Sequence, residues 1–238
     1  MKALIDLHTH TISSGHAFST LKENIEEAKN KGLKILGIAD HAERMPGTAS
    51  YFYFKNMRVI KEEIMGVRIL KGIEANIIDF EGNIDVQEDL ALELDYIIAS
   101  LHPPCINPGT LEENTNALLK VMDNPNVKVI GHPDDNRYAL DYEKLVLEAK
   151  KKNMVFEINN SSLVPGNFRE NAPENQKKLL LLCKEHGVKV IMGSDAHICY
   201  DVGEFSYCYK MLEEIQFPEE LVLNFSVDSL DYILNRKM

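Results

Sequence analysis

The sequence predicts an α/β barrel in which seven parallel strands alternate with helices. Seven apolar segments of strand length are each followed by a segment with helical periodicity, which is typical of parallel β-α-β units. The 238 residues suit one barrel-sized domain, and nothing between the units resembles a linker. Six of the eight histidines fall at or just beyond a predicted strand end, which indicates one shared functional rim.

The first unit contains the motif around which the chain is organised, Asp6-Leu7-His8-Thr9-His10. Successive side chains of a strand point to opposite faces, so Asp6, His8 and His10 share one face. Two imidazoles at this spacing can bind one metal ion, and the carboxylate behind them can orient a ring. A single His-x-His pair in a strand is equally well explained by chance, so the remaining histidines decide the interpretation.

The later units repeat the order of the first. Further strands are predicted over residues 34–41, 67–75, 95–101, 127–131, 155–160 and 188–193. Helices are predicted over residues 20–32, 54–65, 111–122, 141–152, 172–186 and 202–215, with a short helix ending near residue 94 and a last one after Ser226. Seven such units favour a closed or nearly closed barrel, with an open doubly wound sheet as the alternative. We expect residues 1–238 to form a single domain.

Composition narrows the classes of function. The formal charge of −11 argues against non-specific nucleic-acid binding, since an acidic surface repels phosphates. The basic run Lys150-Lys151-Lys152 ends a predicted helix, where it complements the helix dipole. No apolar segment reaches membrane-spanning length, and the N-terminus has no secretory signal pattern. Four cysteines without a CxxC pair fit reduced thiols, so we expect a cytoplasmic protein that does not act at a membrane.

Nine potential metal donors follow predicted strands and should therefore converge on one mouth of the barrel. They are His8, His10, His16, His41, Glu74, His102, His132, Asp195 and His197. A zinc ion takes about three protein ligands in a catalytic site and four in a structural one. Nine donors are too many for one ion and suit about three. Imidazole and carboxylate ligands favour Zn²⁺, with Mn²⁺ or Fe²⁺ as alternatives.

The donors occur within motifs that resemble those of the PHP (polymerase and histidinol phosphatase) superfamily. The motifs are His8-Thr9-His10, Ala39-Asp40-His41, Gly72-Ile73-Glu74-Ala75-Asn76, Leu101-His102, Gly131-His132-Pro133 and Gly193-Ser194-Asp195-Ala196-His197. Four further segments resemble the YcdX-type bacterial phosphatases of this superfamily, namely Ser19-Thr20-Leu21, Asn56-Met57-Arg58, Glu157-Ile158-Asn159-Asn160-Ser161-Ser162 and Gly203-Glu204-Phe205. The resemblance spans nearly the whole chain and fills every ligand position.

This resemblance implies a distorted seven-stranded (β/α)7 TIM-like barrel with a trinuclear zinc site, three Zn²⁺ per chain. One ion would be bound by His8, His10 and Asp195. Glu74 would bridge it to a second ion, which is also bound by His102 and His132. His16, His41 and His197 would bind the third.

We therefore expect a metal-dependent phosphatase that cleaves a small phosphomonoester with a metal-activated hydroxide. Glu74, Asp195 and His197 are the expected catalytic residues. Arg58 is a candidate ligand of a phosphate oxygen, although a helix arginine is more often a surface residue. Asn159 and Asn160 could line the substrate pocket, and capping of the following loop explains them equally well.

Other functions stay open at this level. Within the same superfamily, the alternatives are a histidinol-phosphate phosphatase and a phosphodiesterase or nuclease, and a nuclease should show a basic groove beside the metals. A metal-binding regulatory module without turnover is the non-enzymatic alternative, although such a module needs far fewer donors. The expected partner is a small phosphorylated substrate, and a homo-oligomer is neither predicted nor excluded.

Overall fold

The structure, a computed structural model that describes residues 1–234, confirms the barrel. Seven parallel strands lie in chain order around it, and an eighth pairs antiparallel with one of them. The strands are β1 (Ile5–Asp6), β2 (Ile35–Ile38), β3 (Glu63–Ile64), β4 (Val67–Asn76), β5 (Tyr96–Ser100), β6 (Val127–Ile130), β7 (Val155–Asn159) and β8 (Val190–Gly193). Because β3 is the antiparallel addition, the barrel proper has the seven strands that the sequence predicts.

Helices cover the outside of the sheet. They are α1 (Leu21–Lys31), α2 (Tyr51–Lys55), α3 (Glu88–Ala91), α4 (Leu111–Val121), α5 (Tyr142–Lys152), α6 (Ala172–His186) and α7 (Ser206–Glu214). Capping boxes formed by Thr20 with Glu23 and by Thr110 with Glu113 start α1 and α4, because each pair satisfies otherwise free N–H groups. No helix among residues 1–234 has both the length and the apolar character needed to cross a membrane.

The helix predicted over residues 54–65 is wrong. The chain leaves α2 through a 3-10 turn at Asn56–Val59 and then enters the hairpin of β3 and β4. Met65 and Gly66 connect these strands with φ of 56° and 80°, as the favoured two-residue hairpin turns require. The helix predicted over residues 202–215 is also shorter in the structure, where it begins only at Ser206.

Tyr96 fills the interior of the barrel, where it is completely buried. Its hydroxyl donates to the carbonyl of Leu7 at 2.6 Å, which ties β5 to the strand across the interior. Gly37 and Gly72 make room for the ring, since a Cβ at either position would collide with it. The barrel is therefore a packed core beneath its mouth rather than an open channel.

The seam between β1 and β8 is closed by a segment near the C-terminus. The buried Asn224 side chain donates to the carbonyls of Ile5 and Met192 at 2.8 Å each and accepts from the Met192 N–H at 2.7 Å. Above it, Thr9 and Ala196 form a parallel bridge. The barrel is thus nearly closed, and the seam places the first histidine pair beside the end of β8.

Candidate metal centre

All nine predicted donors lie at the mouth, where the C-terminal ends of the strands meet. Seven of them are buried, and Glu74 and His10 have no exposed surface. His16 is exposed and His197 is half-buried. The cluster is therefore closed towards the barrel interior and open on the side of His16 and His197.

Glu74, near the end of β4, lies at the centre of the cluster. Its Oε2 atom is 3.3 Å from His8 Nε2, 3.5 Å from His10 Nε2 and 2.7 Å from His41 Nδ1, and its Oε1 atom is 3.2 Å from His102 Nε2 and 2.8 Å from His132 Nε2. Two ligands of one tetrahedral zinc ion lie roughly 3.3 Å apart, because each bond is about 2.0–2.1 Å long. The spacing around Glu74 therefore fits a shared set of metal ligands, a role that stays a prediction.

Asp195 connects the buried part of the cluster to its open side. Its Oδ1 atom is 3.2 Å from His10 Nε2 and 3.5 Å from His197 Nδ1. His197 Nε2 in turn lies 3.0 Å from His16 Nε2. Asp195 has a φ of 53°, and such left-handed backbone at a non-glycine residue is concentrated at functional sites.

Buried polar atoms without hydrogen-bond partners provide an independent indication that the donor set fits bound metal ions. Four buried atoms of the cluster have no hydrogen-bond partner, namely His8 Nε2, His10 Nε2, His41 Nδ1 and Glu74 Oε2. An unsatisfied buried polar atom costs about 1–3 kcal/mol, so four in one cluster would be expensive without a ligand. Cations coordinated by these atoms would remove that cost.

The donors form one continuous cluster rather than three separate groups. Four overlapping triplets have ligand atoms within 4.8 Å of one another: His10-His41-His197, His8-His132-Asp195, His8-His10-Glu74 and His41-Glu74-His102. His10 and His41 thus occur in triplets whose members belong to different ions in the grouping that the family resemblance implies. The assignment of individual donors to individual ions stays a prediction.

The protonation states of the donors favour the binding of cations. Burial would raise the pKa of Glu74, but His41 and His8 beside it hold the pKa well below its usual range, so the carboxylate is ionised. Burial lowers the pKa of His10 well below its usual value and keeps that imidazole neutral. Burial would also lower the pKa of His8, but Glu157 and Glu74 raise it well above the usual value. The same negative charges that attract this proton would attract a metal ion in its place.

Glu157, in the middle of β7, supports two donors and was not predicted. Its Oε1 atom lies 2.6 Å from His8 Nδ1, and its Oε2 atom accepts the backbone N–H of His132 at 2.8 Å. Gly193 on β8 leaves the space for this carboxylate, because an added Cβ would collide with Glu157 Oε1. A signal was present, since Glu157 is a charged residue inside an apolar strand.

Other polar groups fix the remaining rings. Asn76 Oδ1 lies 2.7 Å from His102 Nδ1, and Ser14 Oγ lies 3.0 Å from His10 Nδ1. Ser14 also donates to Asp40 at 2.7 Å. Contacts of this kind fix the tautomer and orientation of a metal-binding imidazole.

Arg169 holds the second oxygen of Asp195 and was also missed. Its buried guanidinium donates to Asp195 Oδ2 at 3.0 Å and to Ser162 Oγ at 2.8 Å. Asn159 donates to the same Asp195 oxygen at 3.1 Å. These two contacts leave Asp195 Oδ1 to face the histidines. No sequence pattern reveals Arg169. It lies in the irregular loop between β7 and α6, and only the conformation of that loop brings its guanidinium to Asp195.

The three predicted substrate-binding residues lie in different places. Asn159 contacts Asp195 as described, whereas the side-chain oxygen of Asn160 accepts the backbone N–H groups of Tyr207 and Cys208 in α7. Arg58 is exposed and lines a cavity of about 570 Å³ between the 3-10 turn and the first half of β4. None of the nine donors lines that cavity. The structure thus brings only Asn159 beside the cluster, and substrate contact by any of the three stays a prediction.

Asp6 links two parts of the barrel through hydrogen bonds from backbone N–H groups. Asp6 is completely buried and accepts the backbone N–H groups of His8, Ser194 and Gly203 at 2.8–3.3 Å. It therefore joins β1 to the segment after β8 and makes no side-chain contact with an imidazole. All four cysteines are free thiols.

Comparison with known proteins identifies close relatives over nearly the whole chain. The PHP domain matches residues 6–216. A protein of Clostridium botulinum (strain Langeland) named "Probable phosphatase" is 47% identical over 237 residues, which cover 99% of this chain and 96% of that protein. A "Probable phosphatase" of Caldanaerobacter subterraneus subsp. tengcongensis is 48% identical over 238 residues, which cover 100% of this chain and 93% of the relative.

A solved structure supports the fold. The histidinol phosphate phosphatase of Lactococcus lactis, crystallised with zinc, L-histidinol and phosphate, superimposes with a TM-score of 0.63. The match covers 92% of this chain and 95% of that protein at 16% sequence identity. At this identity the comparison establishes a shared architecture and leaves the substrate of this chain open.

Proposed function

The chain belongs to the PHP family, and from that premise we propose that it is a metal-dependent phosphatase acting on a small phosphomonoester. One observation carries the proposal, which is the buried Glu74 carboxylate with imidazoles around both of its oxygens. An isolated carboxylate in this position would be costly to bury, and a cluster of cations explains its surroundings. The names of the relatives support a phosphatase activity.

We propose three metal ions, with zinc as the preferred ion and Mn²⁺ or Fe²⁺ as alternatives. The nine donors would bind them, with Glu74 shared between two ions. Bound ions of this kind activate water at neutral pH and neutralise the charge of a phosphoryl group. The anionic substrate needs that neutralisation, because the chain itself carries a formal charge of −11.

The protein's own residues determine where the phosphoryl group is held. Asp195 and His197 border the open side of the cluster, so they would act next to the reacting phosphate. Arg169 and Asn159 hold Asp195 Oδ2, which keeps the other oxygen directed at the donors. Glu74, inside the cluster, would position the ions without contacting solvent.

The test is to replace His10 or Glu74 by alanine and to measure phosphate release from a panel of phosphomonoesters. Both variants should lose activity by more than about a thousandfold, because each substitution removes a central ligand. Circular dichroism should show that the fold is retained. His186→Ala is the matched control, since His186 ends α6 away from the mouth. Full activity of both variants would exclude this scheme.

The same panel separates the alternatives. Histidinol phosphate belongs in it, because the structural neighbour from Lactococcus lactis was crystallised with L-histidinol and phosphate. Competition between a phosphomonoester and a single-stranded oligonucleotide distinguishes a phosphatase from a nuclease. If metal-loaded protein hydrolysed no phosphoester at all, a metal-binding regulatory module would become the better interpretation.

We further propose that the protein acts as a single domain in the cytoplasm. All four cysteines are free, as expected in a reducing compartment. Cys183 and Cys208 are buried in the core, where they pack as small apolar side chains.

A further inference from the structure

Phe168 is an exposed aromatic residue at the mouth of the barrel. It lies in the loop between β7 and α6, on the side of the sheet where the donors are, and 68% of its surface is exposed. A large aromatic side chain has much apolar area to bury in a contact, so an exposed one beside a candidate site offers a surface for a ligand. Nothing in the assigned metal centre uses this ring.

A single guanidinium connects the ring to the donor cluster. The Arg169 guanidinium carbon lies 5.2 Å from the centre of the Phe168 ring, and the same group donates to Asp195 Oδ2 at 3.0 Å. Arg169 is buried, whereas Phe168 is not. The ring therefore lies one guanidinium group away from Asp195, at the edge of the donor cluster.

A second arginine fixes the ring from the neighbouring loop. The Arg137 guanidinium carbon lies 5.6 Å from the ring centre, and Arg137 is bound by the Asp135 carboxylate through Nε and Nη2. Asn136 donates its N–H to the Glu170 carbonyl at 2.8 Å, which joins the loop after β6 to the loop after β7. Phe168 is thus held in place at the mouth rather than on a free loop.

We propose that Phe168 is the leaving-group subsite of this enzyme and selects phosphomonoesters with a planar, aromatic or heteroaromatic, leaving group. The inference rests on the proposed function. The exposed part of the ring offers a stacking surface, and aromatic pairs gain energy from such contacts beyond the area that they bury.

The experiment compares Phe168→Leu with the wild type on phenyl phosphate and cyclohexyl phosphate, two esters of similar size that differ in planarity. The two esters differ in intrinsic reactivity. This difference cancels when the ratio of kcat/KM for phenyl phosphate to kcat/KM for cyclohexyl phosphate is compared between the variant and the wild type. We expect Phe168→Leu to lower the phenyl-to-cyclohexyl ratio about three- to tenfold, mainly through KM for phenyl phosphate. Phe168→Tyr should keep the wild-type ratio.

Phe52→Leu is the matched control, because Phe52 is 78% exposed and lies in α2, outside the loops that carry Phe168 and Arg137. Its ratio should equal that of the wild type. The inference is overturned if Phe168→Leu leaves the ratio unchanged or lowers both kcat/KM values equally, or if Phe52→Leu changes the ratio instead. Wild-type protein that hydrolyses neither these esters nor any other phosphomonoester overturns the proposed function, and the subsite with it.

Discussion

At the scale of single residues, the proposed metal centre depends on side chains outside the nine predicted donors. Glu157 contacts the His8 ring with one oxygen and the backbone of His132 with the other, and Arg169 performs a similar task for Asp195. Such contacts determine the tautomer, the basicity and the angle of each donor. The metal affinity of the cluster is therefore expected to respond to residues one layer behind it.

Glu157→Gln should weaken metal binding about ten- to a hundredfold while the protein stays folded. The amide keeps the shape of the side chain but removes the negative charge beside His8 Nδ1. Zinc affinity can be measured by competition with a chelator of known affinity. Glu185→Gln, at the exposed end of α6, is the control and should bind zinc as the wild type does. Equal affinity of the two variants would mean that Glu157 has only a structural role.

The convergence of the nine residues on one mouth could be predicted from the sequence because each lies near or after the end of an apolar strand, and parallel strands end on one side. Glu157 lies three residues before the end of the predicted strand 155–160, whereas Glu74 lies one residue before the end of 67–75, so the same rule does not reach Glu157. Arg169 depends on how a loop of irregular structure folds back. The local sequence pattern therefore finds the side chains that meet at the mouth and misses the groups that contact them from behind.

At the scale of elements, the close approach of β7 and β8 is what brings Glu157 to His8. Asn159 pairs with Gly193 in the parallel register of these strands. Because Gly193 has no side chain, the Glu157 carboxylate can pass over it to the imidazole. This glycine is required for close contact rather than for an unusual backbone angle.

Gly193→Ala should displace Glu157 and lower metal content by about one ion per chain or more. It should also reduce the free energy of unfolding by about 1–3 kcal/mol, as overpacking in a core does. Gly166→Ala is the comparison, because its Cβ would meet open space and only its φ of 84° would be strained. The account would be contradicted if Gly193→Ala kept full metal content while Gly166→Ala lost it.

The elements themselves differ in how well the sequence predicts them. The helix over residues 172–186 is predicted to the residue, because Pro173 near its start and Gly187 after its end mark both limits. The segment of residues 54–65 was misread as one helix. Its turn at Met65 and Gly66 has a glycine at only one of two positive-φ positions, so the hairpin signal is weak.

At the scale of the whole molecule, residues from the two ends of the chain complete the barrel. Asn224 forms three hydrogen bonds across the seam between β1 and β8, and the Leu4 N–H donates to the Asn224 carbonyl at 2.8 Å. The seam lies below the segments that carry His8 and Asp195. Closing the barrel and assembling the centre are therefore coupled.

Asn224→Ala should lower the free energy of unfolding by about 3 kcal/mol or more, because buried backbone groups on both strands lose their partners. Denaturant titration of metal-free protein measures this directly. Asn116→Ala removes one hydrogen bond, to the Phe80 carbonyl, and should cost about 1 kcal/mol. Similar losses in the two variants would show that Asn224 does not hold the seam.

The proposed metal centre is a cluster of three metal ions bound by nine donors. The most direct test is the metal content per chain, measured by elemental mass spectrometry on protein purified without chelator or metal-affinity resin. We predict about three ions per chain, mostly zinc, since nine ligands suit three ions. One ion or none, unchanged after zinc or manganese is added, would contradict the cluster and the phosphatase that depends on it.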